Sequence, residues 1–380
     1  MFTASYPFYQ PGQPALLSTP ERVGALPAYT GRGVVIAFVD SGFYPHPDLA
    51  GRVLVHVDAS TNRVIEQPPD AFAVSEQSWH GQMTSVIAAG DGHTSGGRYR
   101  GVASGAQLVL VKVSTPRGQV KERDILRGLR WIIDTHRRFN IRVVNLSVGG
   151  DFASSDPDHP LHRAVSRLAR AGVTVVAAAG NRAAPVVLPP ASAAEAITVG
   201  GLDDHNTRDR ARWTLYRSNY GTAWDGSAKP DLLAPAEWIA GPIMPETGVA
   251  REARWLGSLL HIQDAAEVRH ILGRAYADLG LPRAAAQEPD ANVYAMLQAR
   301  INAHKIIDAS HQYVDGTSVA APIVAAVAAQ MLEANPRLTP AQICSILKET
   351  ARPLPGIEPG RQGAGALDAA AAVGAALAAR

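Results

Sequence analysis

The chain has almost no cysteine. Its single thiol, Cys344, cannot form an intrachain disulfide, which leaves the compartment open and fits a reducing one. Because Ile343 and Leu347 flank it at helical spacing, we expect Cys344 to be a core residue. Zinc motifs of the paired-cysteine or His-Glu-x-x-His type are also missing from the sequence, so no zinc site is predicted.

Neither sign of charge dominates the chain. The 36 Lys and Arg residues oppose 34 Asp and Glu residues, for a formal net charge of +2. Without a basic stripe, a nucleic-acid partner is not expected. Residues 1–7 show no charged and apolar signal sequence, and the apolar run 369–379 is too short to span a bilayer. We therefore predict a cytoplasmic protein with no membrane partner.

Continuous apolar runs recur along the chain, and each has the length of a strand buried on both faces of a parallel sheet. Segments with apolar residues at helical spacing alternate with them. This alternation predicts an α/β fold, a doubly wound and mostly parallel sheet flanked by helices. In such a fold the functional residues lie beyond the carboxyl ends of the strands. The predicted strands are residues 34–40, 107–113, 142–148, 173–179 and 196–199.

The alternating pattern stops between residues 241 and 312. Two stretches there have helical periodicity and begin at Asp264 and Asp290, which predicts a small helical insertion. Its role is left open between a lid, a surface for a protein partner or self-association, and a packed decoration. Residues 1–30 lack periodicity and are interpreted as an N-terminal arm. The two parts of the main domain are then residues 31–240 and 313–380.

One serine lies at the mouth of a long apolar helix. The segment 316–322, Gly-Thr-Ser-Val-Ala-Ala-Pro, leads directly into that helix. Because proline is tolerated in a first helical turn, we expect the helix to begin near Ala320, with Ser318 at or just before its N-cap. Unbonded backbone N–H groups and the positive end of the helix dipole would then lie beside the hydroxyl. Taken alone, this is an ordinary serine cap on a core helix.

Three further polar residues stand where predicted elements begin or end. Asp40 ends the first strand, His80 opens a helix of small residues, and Asn181 follows the fourth strand. Each alone is an ordinary turn or packing residue, but with Ser318 they supply an acid, a base, an oxyanion donor and a nucleophile. An α/β-hydrolase is excluded, because the last histidine, His311, precedes Ser318 and there is no Gly-x-Ser-x-Gly motif.

Asp40, His80, Asn181 and Ser318, in this order along the chain, and the sequence motifs around them resemble those of the subtilisin-like serine peptidases. The resemblance extends from about Gly33 to the carboxyl terminus, apart from the insertion. It favours an intracellular member of the family, because residues 1–30 are too few for a folded pro-domain. The matching motifs are residues 39–42, 80–81, 145–150, 178–181, 188–191 with 197–200, 229–231 and 316–322.

The resemblance implies a serine endopeptidase that hydrolyses peptide bonds in extended polypeptide segments through an acyl-enzyme. Ser318 would attack the scissile carbonyl, His80 would transfer the proton, and Asp40 would orient and stabilise the imidazole. Asn181 and the backbone N–H of Ser318 would donate to the oxyanion. The segment that resembles the substrate-pairing strand consists of Ser147, Val148 and Gly149.

The chain departs from the family pattern beside the site. Met83 stands where a second histidine is usual, and Val319 where the family usually has methionine. Neither is a triad position, so these departures concern geometry rather than chemistry. The chemistry itself needs no cofactor. Calcium is a common structural ion in the family, but no spacing of carboxylates resembling an EF-hand assigns a ligand here.

Three alternatives stay open. The segment 6–11 is either a pseudosubstrate lying in the cleft or an unstructured tail. Arg182 either meets an acidic substrate side chain or is a solvated surface residue. The competing function is a catalytically silent or partner-activated scaffold on the same fold, against which the presence of all four catalytic residues argues.

Overall fold

In the computed structural model the chain divides into two compact units, which we call the main unit and the helical unit. The main unit comprises Ser18–Glu237 and Asp315–Arg380, and the helical unit comprises Met1–Leu17 and Trp238–Val314. The structure describes residues 2–9, 16–68 and 75–379.

A nine-stranded sheet forms the centre of the main unit. The strands of this unit are β1 (Val35–Asp40), β2 (Val53–Asp58), β3 (Ile65–Gln67), β4 (Gln107–Lys112), β5 (Ile141–Leu146), β6 (Thr174–Ala178), β7 (Ile197–Asp203), β8 (Thr214–Leu215), β9 (Gly221–Thr222), β10 (Ala228–Lys229) and β11 (Leu232–Pro235). The sheet order is β11-β7-β6-β5-β1-β4-β2-β3, with β8 paired to β7. Its strands from β11 to β2 are parallel, whereas β3 and β8 run antiparallel to their neighbours, and β9 and β10 form a separate antiparallel pair.

Helices cover both faces of this sheet. The helices of the whole chain are α1 (Thr19–Val23), α2 (Ser78–Ala89), α3 (Glu122–Phe139), α4 (Pro160–Arg170), α5 (Gly248–Leu259), α6 (Ala265–Ala275), α7 (Arg283–Gln287), α8 (Ala291–Ala303), α9 (Thr317–Ala334), α10 (Pro340–Thr350), α11 (Pro359–Gln362) and α12 (Ala369–Ala378). On one face α3 and α4 pack on a core that includes Val39, Val111 and Val144. On the other, α9 packs against β5, β6 and β7 and against α2 and α12. Because every residue of β1 is buried, its sequence is a continuous apolar run up to Asp40 rather than an alternating pattern.

Helix α9 is the core helix of the main unit. It is long and apolar enough to cross a membrane, but 83% of it is buried inside the protein. Burial in the protein therefore accounts for its composition, as expected for a helix that is apolar on all sides.

The helical unit contains α5 to α8 and a pair of antiparallel strands, β12 (Ile239–Pro242) and β13 (His311–Val314). Its core is a cluster of mainly aliphatic side chains that includes Leu256, Leu272 and Leu297. The predicted helix starts are confirmed: the Asp264 carboxylate accepts from Ala266 N at the start of α6, and that of Asp290 accepts from Val293 N at the start of α8.

Residues 2–9 pack within the helical unit. Phe2 belongs to its hydrophobic core and stacks on Tyr294 at a ring separation of 5.6 Å. The backbone of Thr3 is held from both sides by Gln298, at 2.9 and 2.6 Å, and the Tyr9 hydroxyl donates to Leu260 O at 2.5 Å. The described residues 6–9 are therefore not an unstructured tail, and the pseudosubstrate alternative stays a prediction. Residues 10 and 11 lie outside the described residues.

Candidate active site

Asp40 ends β1 as predicted, and its carboxylate is completely buried. Its Oδ1 accepts hydrogen bonds from His80 Nδ1 and from Ser41 N, both at 2.6 Å. Its Oδ2 accepts from Thr84 Oγ1 at 3.2 Å. Three donors therefore fix the carboxylate at the carboxyl end of the strand, which is where a parallel sheet presents its chemistry.

His80 lies in the first turn of α2 with its side chain 34% exposed. The helix can approach β1 this closely because the next residue is Gly81, where a Cβ would lie only 2.3 Å from Gly42 O and 2.9 Å from Asp40 Cβ. Burial opposes protonation of the imidazole, but the charge and hydrogen bond of Asp40 outweigh it and raise the pKa of His80. The pair thus stabilises the imidazolium that a general base forms.

Ser318 lies one residue inside helix α9, which begins at Thr317. The predicted start near Ala320 is therefore wrong, because Pro322 lies in the helix rather than in its first turn. The turn into the helix is made by Gly316 at φ 141°, a conformation that favours glycine. Within the described residues, neither the Ser318 N–H nor its hydroxyl makes a hydrogen bond.

Pro322 leaves one helical carbonyl without its usual partner. A proline has no N–H, so the carbonyl four residues earlier, that of Ser318, cannot be bonded within the helix. Ser147 Oγ donates to this carbonyl instead, at 3.1 Å, and Asn145 Nδ2 donates to Ser147 Oγ at 3.1 Å. The side chain of Ser147 therefore connects the nucleophile helix to the end of β5.

Asn181 follows β6 as predicted, and its amide is held by a residue that the sequence analysis did not single out. Its Oδ1 accepts from Thr317 N at 2.8 Å and from Thr317 Oγ1 at 2.9 Å. Thr317 Oγ1 in turn accepts from Gly180 N at 3.0 Å. With its oxygen engaged in this way, the Asn181 amide has its Nδ2 donor available for a developing oxyanion. The signal for this role is the threonine directly before the nucleophile.

Replacing Thr317 by valine should lower kcat about tenfold and leave KM nearly unchanged. The valine keeps the shape but removes the hydroxyl that positions Asn181, so only transition-state stabilisation is lost. Steady-state kinetics on one peptide measure the effect. Thr317→Ser, which keeps the hydroxyl, should restore most of the rate; equal losses in both variants would contradict the role.

The predicted substrate segment lies just beyond β5, which ends at Leu146 rather than at Val148 as predicted. In the described part of the chain, no strand pairs with Ser147, Val148 or Gly149. These residues line a cleft of about 640 Å³ that also contains Asn181 and Ser318. Three of the predicted elements thus share one cleft. Arg182 lies on the wall of the same cleft and is exposed, which fits a solvated residue.

A second histidine–serine pair occurs elsewhere in the main unit. His162 Nε2 and Ser192 Oγ are 2.8 Å apart, and His162 Nδ1 lies 2.7 Å from the backbone oxygen of Asp156. Both side chains are buried, and burial lowers the pKa of His162. Because no substrate can reach it, this pair is structural.

The described residues contain no group of three or more His, Cys, Asp or Glu side chains arranged to hold a metal ion. The structure therefore assigns no ligands for the structural calcium that the family resemblance suggests.

A pair of carboxyl groups lies beside the nucleophile turn. Glu237 is hydrogen-bonded to Asp203, and the preceding Ala236 O accepts from Gly316 N at 2.8 Å. Partial burial, the bond to Asp203 and the charges of Asp203 and Asp315 raise the pKa of Glu237 to about 7, while Arg217 acts in the opposite direction.

The raised pKa of Glu237 predicts a stability that falls with rising pH. The folded protein holds this proton more tightly than the unfolded chain, so the contribution is complete below pH 4.5 and is lost through about pH 7. Between pH 5 and 8 we expect Tm to fall by about 2–4 °C more than in Glu237→Gln, whose amide keeps a donor at every pH. Calorimetry in a Ser318→Ala background avoids autolysis, and parallel curves for the two proteins would contradict the assignment.

The sequence of this chain is similar to that of a known family of proteins. The Subtilase family matches residues 31–365. The chain belongs to the subtilase family. The predicted family and the α/β fold class are thereby confirmed, and the Asp40–His80 pair, Asn181 and Ser318 lie in motifs of this subtilase that the resemblance identified.

Curated relatives of this subtilase are proteases. Serine protease AprX of Bacillus subtilis is 30% identical over 348 residues, which make up 90% of this chain and 66% of AprX. Subtilisin Savinase of Lederbergia lenta is 32% identical over 179 residues, 47% of this chain and 59% of Savinase. The chain thus spans about six to seven tenths of the length of these two relatives.

Solved structures support the fold of this subtilase. Fervidolysin from Fervidobacterium pennivorans, a keratinolytic enzyme related to subtilisin, aligns with a TM-score of 0.64 at 20% identity, covering 98% of this chain and 51% of fervidolysin. The protease domain of PatA aligns with a TM-score of 0.62 at 22% identity, covering 92% of this chain and 98% of that domain.

Proposed function

We propose that this subtilase is a serine endopeptidase whose triad is Asp40, His80 and Ser318. The observation that carries the proposal is the cleft in which Ser318, Asn181 and the segment 147–149 meet. The buried Asp40 carboxylate, 2.6 Å from His80 Nδ1, orients the imidazole that acts as the base. Membership of a family whose curated relatives are serine proteases supports the same activity.

In the proposed reaction, Ser318 Oγ attacks the scissile carbonyl carbon while His80 Nε2 takes the hydroxyl proton. The carbonyl oxygen becomes an oxyanion that accepts from Asn181 Nδ2 and Ser318 N. When the C–N bond breaks, His80 returns its proton to the leaving amine, and an acyl-enzyme remains on Ser318. Water, deprotonated by His80, then attacks the ester carbonyl. The bond from the acyl carbon to Ser318 Oγ breaks, His80 returns the proton to Ser318 Oγ, and the carboxylic acid leaves. Throughout, the carboxylate of Asp40 keeps the imidazole in the productive tautomer and stabilises its charged form.

The substrate we propose is an extended polypeptide segment. The backbone of residues 147–149 lies along the cleft without a strand partner in the described residues, so a peptide can add to it as a further strand. Main-chain pairing reads little sequence, and Val148, Leu188 and Ala191 give the cleft wall an apolar part beside polar residues such as Asn219. A side chain that covers this apolar part would itself be apolar.

The experiment that tests the function is covalent labelling with an alkyl fluorophosphonate, read by intact mass. One adduct per chain, located on Ser318 by peptide mapping and absent from Ser318→Ala, is expected. Peptide hydrolysis by the same sample should disappear in step with labelling. Labelling at another serine, or none in a correctly folded protein, would overturn the triad.

A partner-activated subtilase is the second candidate, and one observation favours it. No hydrogen bond joins Ser318 Oγ to His80 in the described residues. Such bonds often tighten only when a substrate is bound, which reconciles this geometry with the first candidate. Labelling of the isolated chain separates the two, since a partner-activated form reacts slowly until its partner is added. The cytoplasmic location and a partner surface on residues 241–312 stay predictions.

A further inference from the structure

Phe152 is the most exposed of the large hydrophobic side chains in the described residues, at 79%. It lies on the wall of the cleft that contains Ser318, three residues beyond Gly149. Single exposed apolar residues are common on protein surfaces and need no explanation by themselves. This one differs because it stands on the wall of the proposed peptide site.

The chain on the amino-terminal side of Phe152 is held in place. Gly150 N donates to Pro189 O at 2.6 Å, and Asp151 N donates to Glu122 Oε2 at 3.4 Å. The other carboxylate oxygen of Glu122 lies 3.2 Å from His159 Nε2. Two successive backbone groups before the ring are therefore anchored, and the position of Phe152 relative to the segment 147–149 is defined.

Gly150 lies close to both groups of this anchor. A Cβ on Gly150 would lie 2.6 Å from Glu122 Oε2 and 3.1 Å from Pro189 O. Because Glu122 Oε2 is the end of a flexible side chain, a larger residue would displace mainly that carboxylate, with a small shift against Pro189 O. A side chain at position 150 would therefore disturb the hydrogen bond from Asp151 N to Glu122 Oε2, next to Phe152.

The ring has no apolar partner of its own in this loop. Residues 153–158 read Ala-Ser-Ser-Asp-Pro-Asp, with no large hydrophobic side chain. Within the described residues, no aromatic or cation contact engages Phe152. Its exposed surface is therefore available to be buried by a ligand, and aromatic surface contributes strongly when it is buried.

We propose that Phe152 is a specificity-determining substrate contact, whose ring covers a large apolar or aromatic side chain of the peptide held along residues 147–149. The proposal rests on the proposed endopeptidase function and names its substrate class: unfolded segments that carry a bulky apolar residue close to the scissile bond. The polar groups nearest in sequence, Asp151 and Ser154, offer no comparable apolar surface.

The test compares Phe152→Ala and Phe152→Leu with wild type on peptide pairs that differ at one position, Phe against Ser, scanned over four residues on each side of the cut. At one position, Phe152→Ala should lower kcat/KM for the Phe peptide about tenfold, through KM, while the Ser peptide is unaffected. Phe152→Leu should fall between. Leu377→Ala, which truncates another exposed apolar residue in α12, is the matched control and should change nothing.

Two failures are distinguishable in this design. If Phe152→Ala keeps the wild-type preference at every position while fluorophosphonate still labels Ser318, the assignment of Phe152 is overturned and the endopeptidase function stands. If wild type neither labels nor cleaves any peptide, the proposed function itself fails. A loss in kcat with unchanged KM would also contradict a role in ground-state binding.

Discussion

Replacing His80 with alanine is expected to lower kcat by about 10⁶, to a residual rate that binding and the oxyanion donors sustain. Without the imidazole, the hydroxyl of Ser318 has no base, and the leaving amine has no acid. The loss should be measured in kcat, since the segment 147–149 and the apolar wall still bind the peptide. Single-turnover kinetics with an activated ester substrate keep so slow a rate within range.

The informative control is Ser192→Ala. That variant removes the hydroxyl of the buried His162–Ser192 pair, at 2.8 Å, and should keep activity within tenfold of wild type. The structure contains two histidine–serine neighbours, and this comparison asks which one performs the chemistry. A larger loss in Ser192→Ala than in His80→Ala would reverse the assignment.

Asp40→Asn is expected to lower kcat by about 10⁴ with little change in fold. The amide keeps the size of the carboxylate, but it can donate to His80 Nδ1 and so place the imidazole proton on the nitrogen that should accept from Ser318. The same change removes the negative charge that raises the pKa of His80. In the wild type the raised pKa of His80 places the acid limb of the kcat/KM profile above the ordinary range of a histidine, and in Asp40→Asn this limb should move to lower pH.

A matched control for that variant is Asp48→Asn. Asp48 is also completely buried and accepts from Thr94 N at 2.9 Å, outside the proposed site. The Asp48→Asn variant should have a lower free energy of unfolding, while kcat per folded molecule stays at the wild-type value. If Asp40→Asn retained more than a tenth of the wild-type kcat, the orienting role of Asp40 would be wrong.

Much of the sheet could be predicted because each central strand is buried on both faces. Runs such as 34–40 and 107–113 are mainly apolar without alternating, and the observed strands β1 and β4 differ from them by one residue at one end. Strand β2 lies between β4 and β3, is only half-buried at both ends and contains His56 and Asp58, so it carries no such run and was not among the predicted strands. Burial, rather than strand propensity, is what the sequence pattern detects.

The details of the site depended on contacts between residues far apart in sequence. The conformational limits of proline predict that Pro322 lies in the first turn of the helix. It lies further inside because Ser147, which is distant in the chain, donates to the Ser318 carbonyl that Pro322 leaves unbonded. The same holds for residues 2–9, whose aromatic side chains gave no sign of their place in the core formed by residues 238–314. Phe152 was overlooked for a related reason, since a lone aromatic residue in a loop has no periodicity.

The bridge from Asn145 through Ser147 to the carbonyl of Ser318 has a mechanical consequence. Ser318, the proposed nucleophile, and the proposed peptide-binding segment 147–149 belong to a single hydrogen-bonded unit, so a tilt of α9 would carry both along together. The distance between the Ser318 hydroxyl and the scissile carbonyl is then little affected by motions of the surface loops, as near-attack geometry requires. Substitutions that weaken this hydrogen-bonded bridge should therefore impair both peptide binding and turnover. Substitutions in the outer loops should leave the distance between the Ser318 hydroxyl and the scissile carbonyl unchanged.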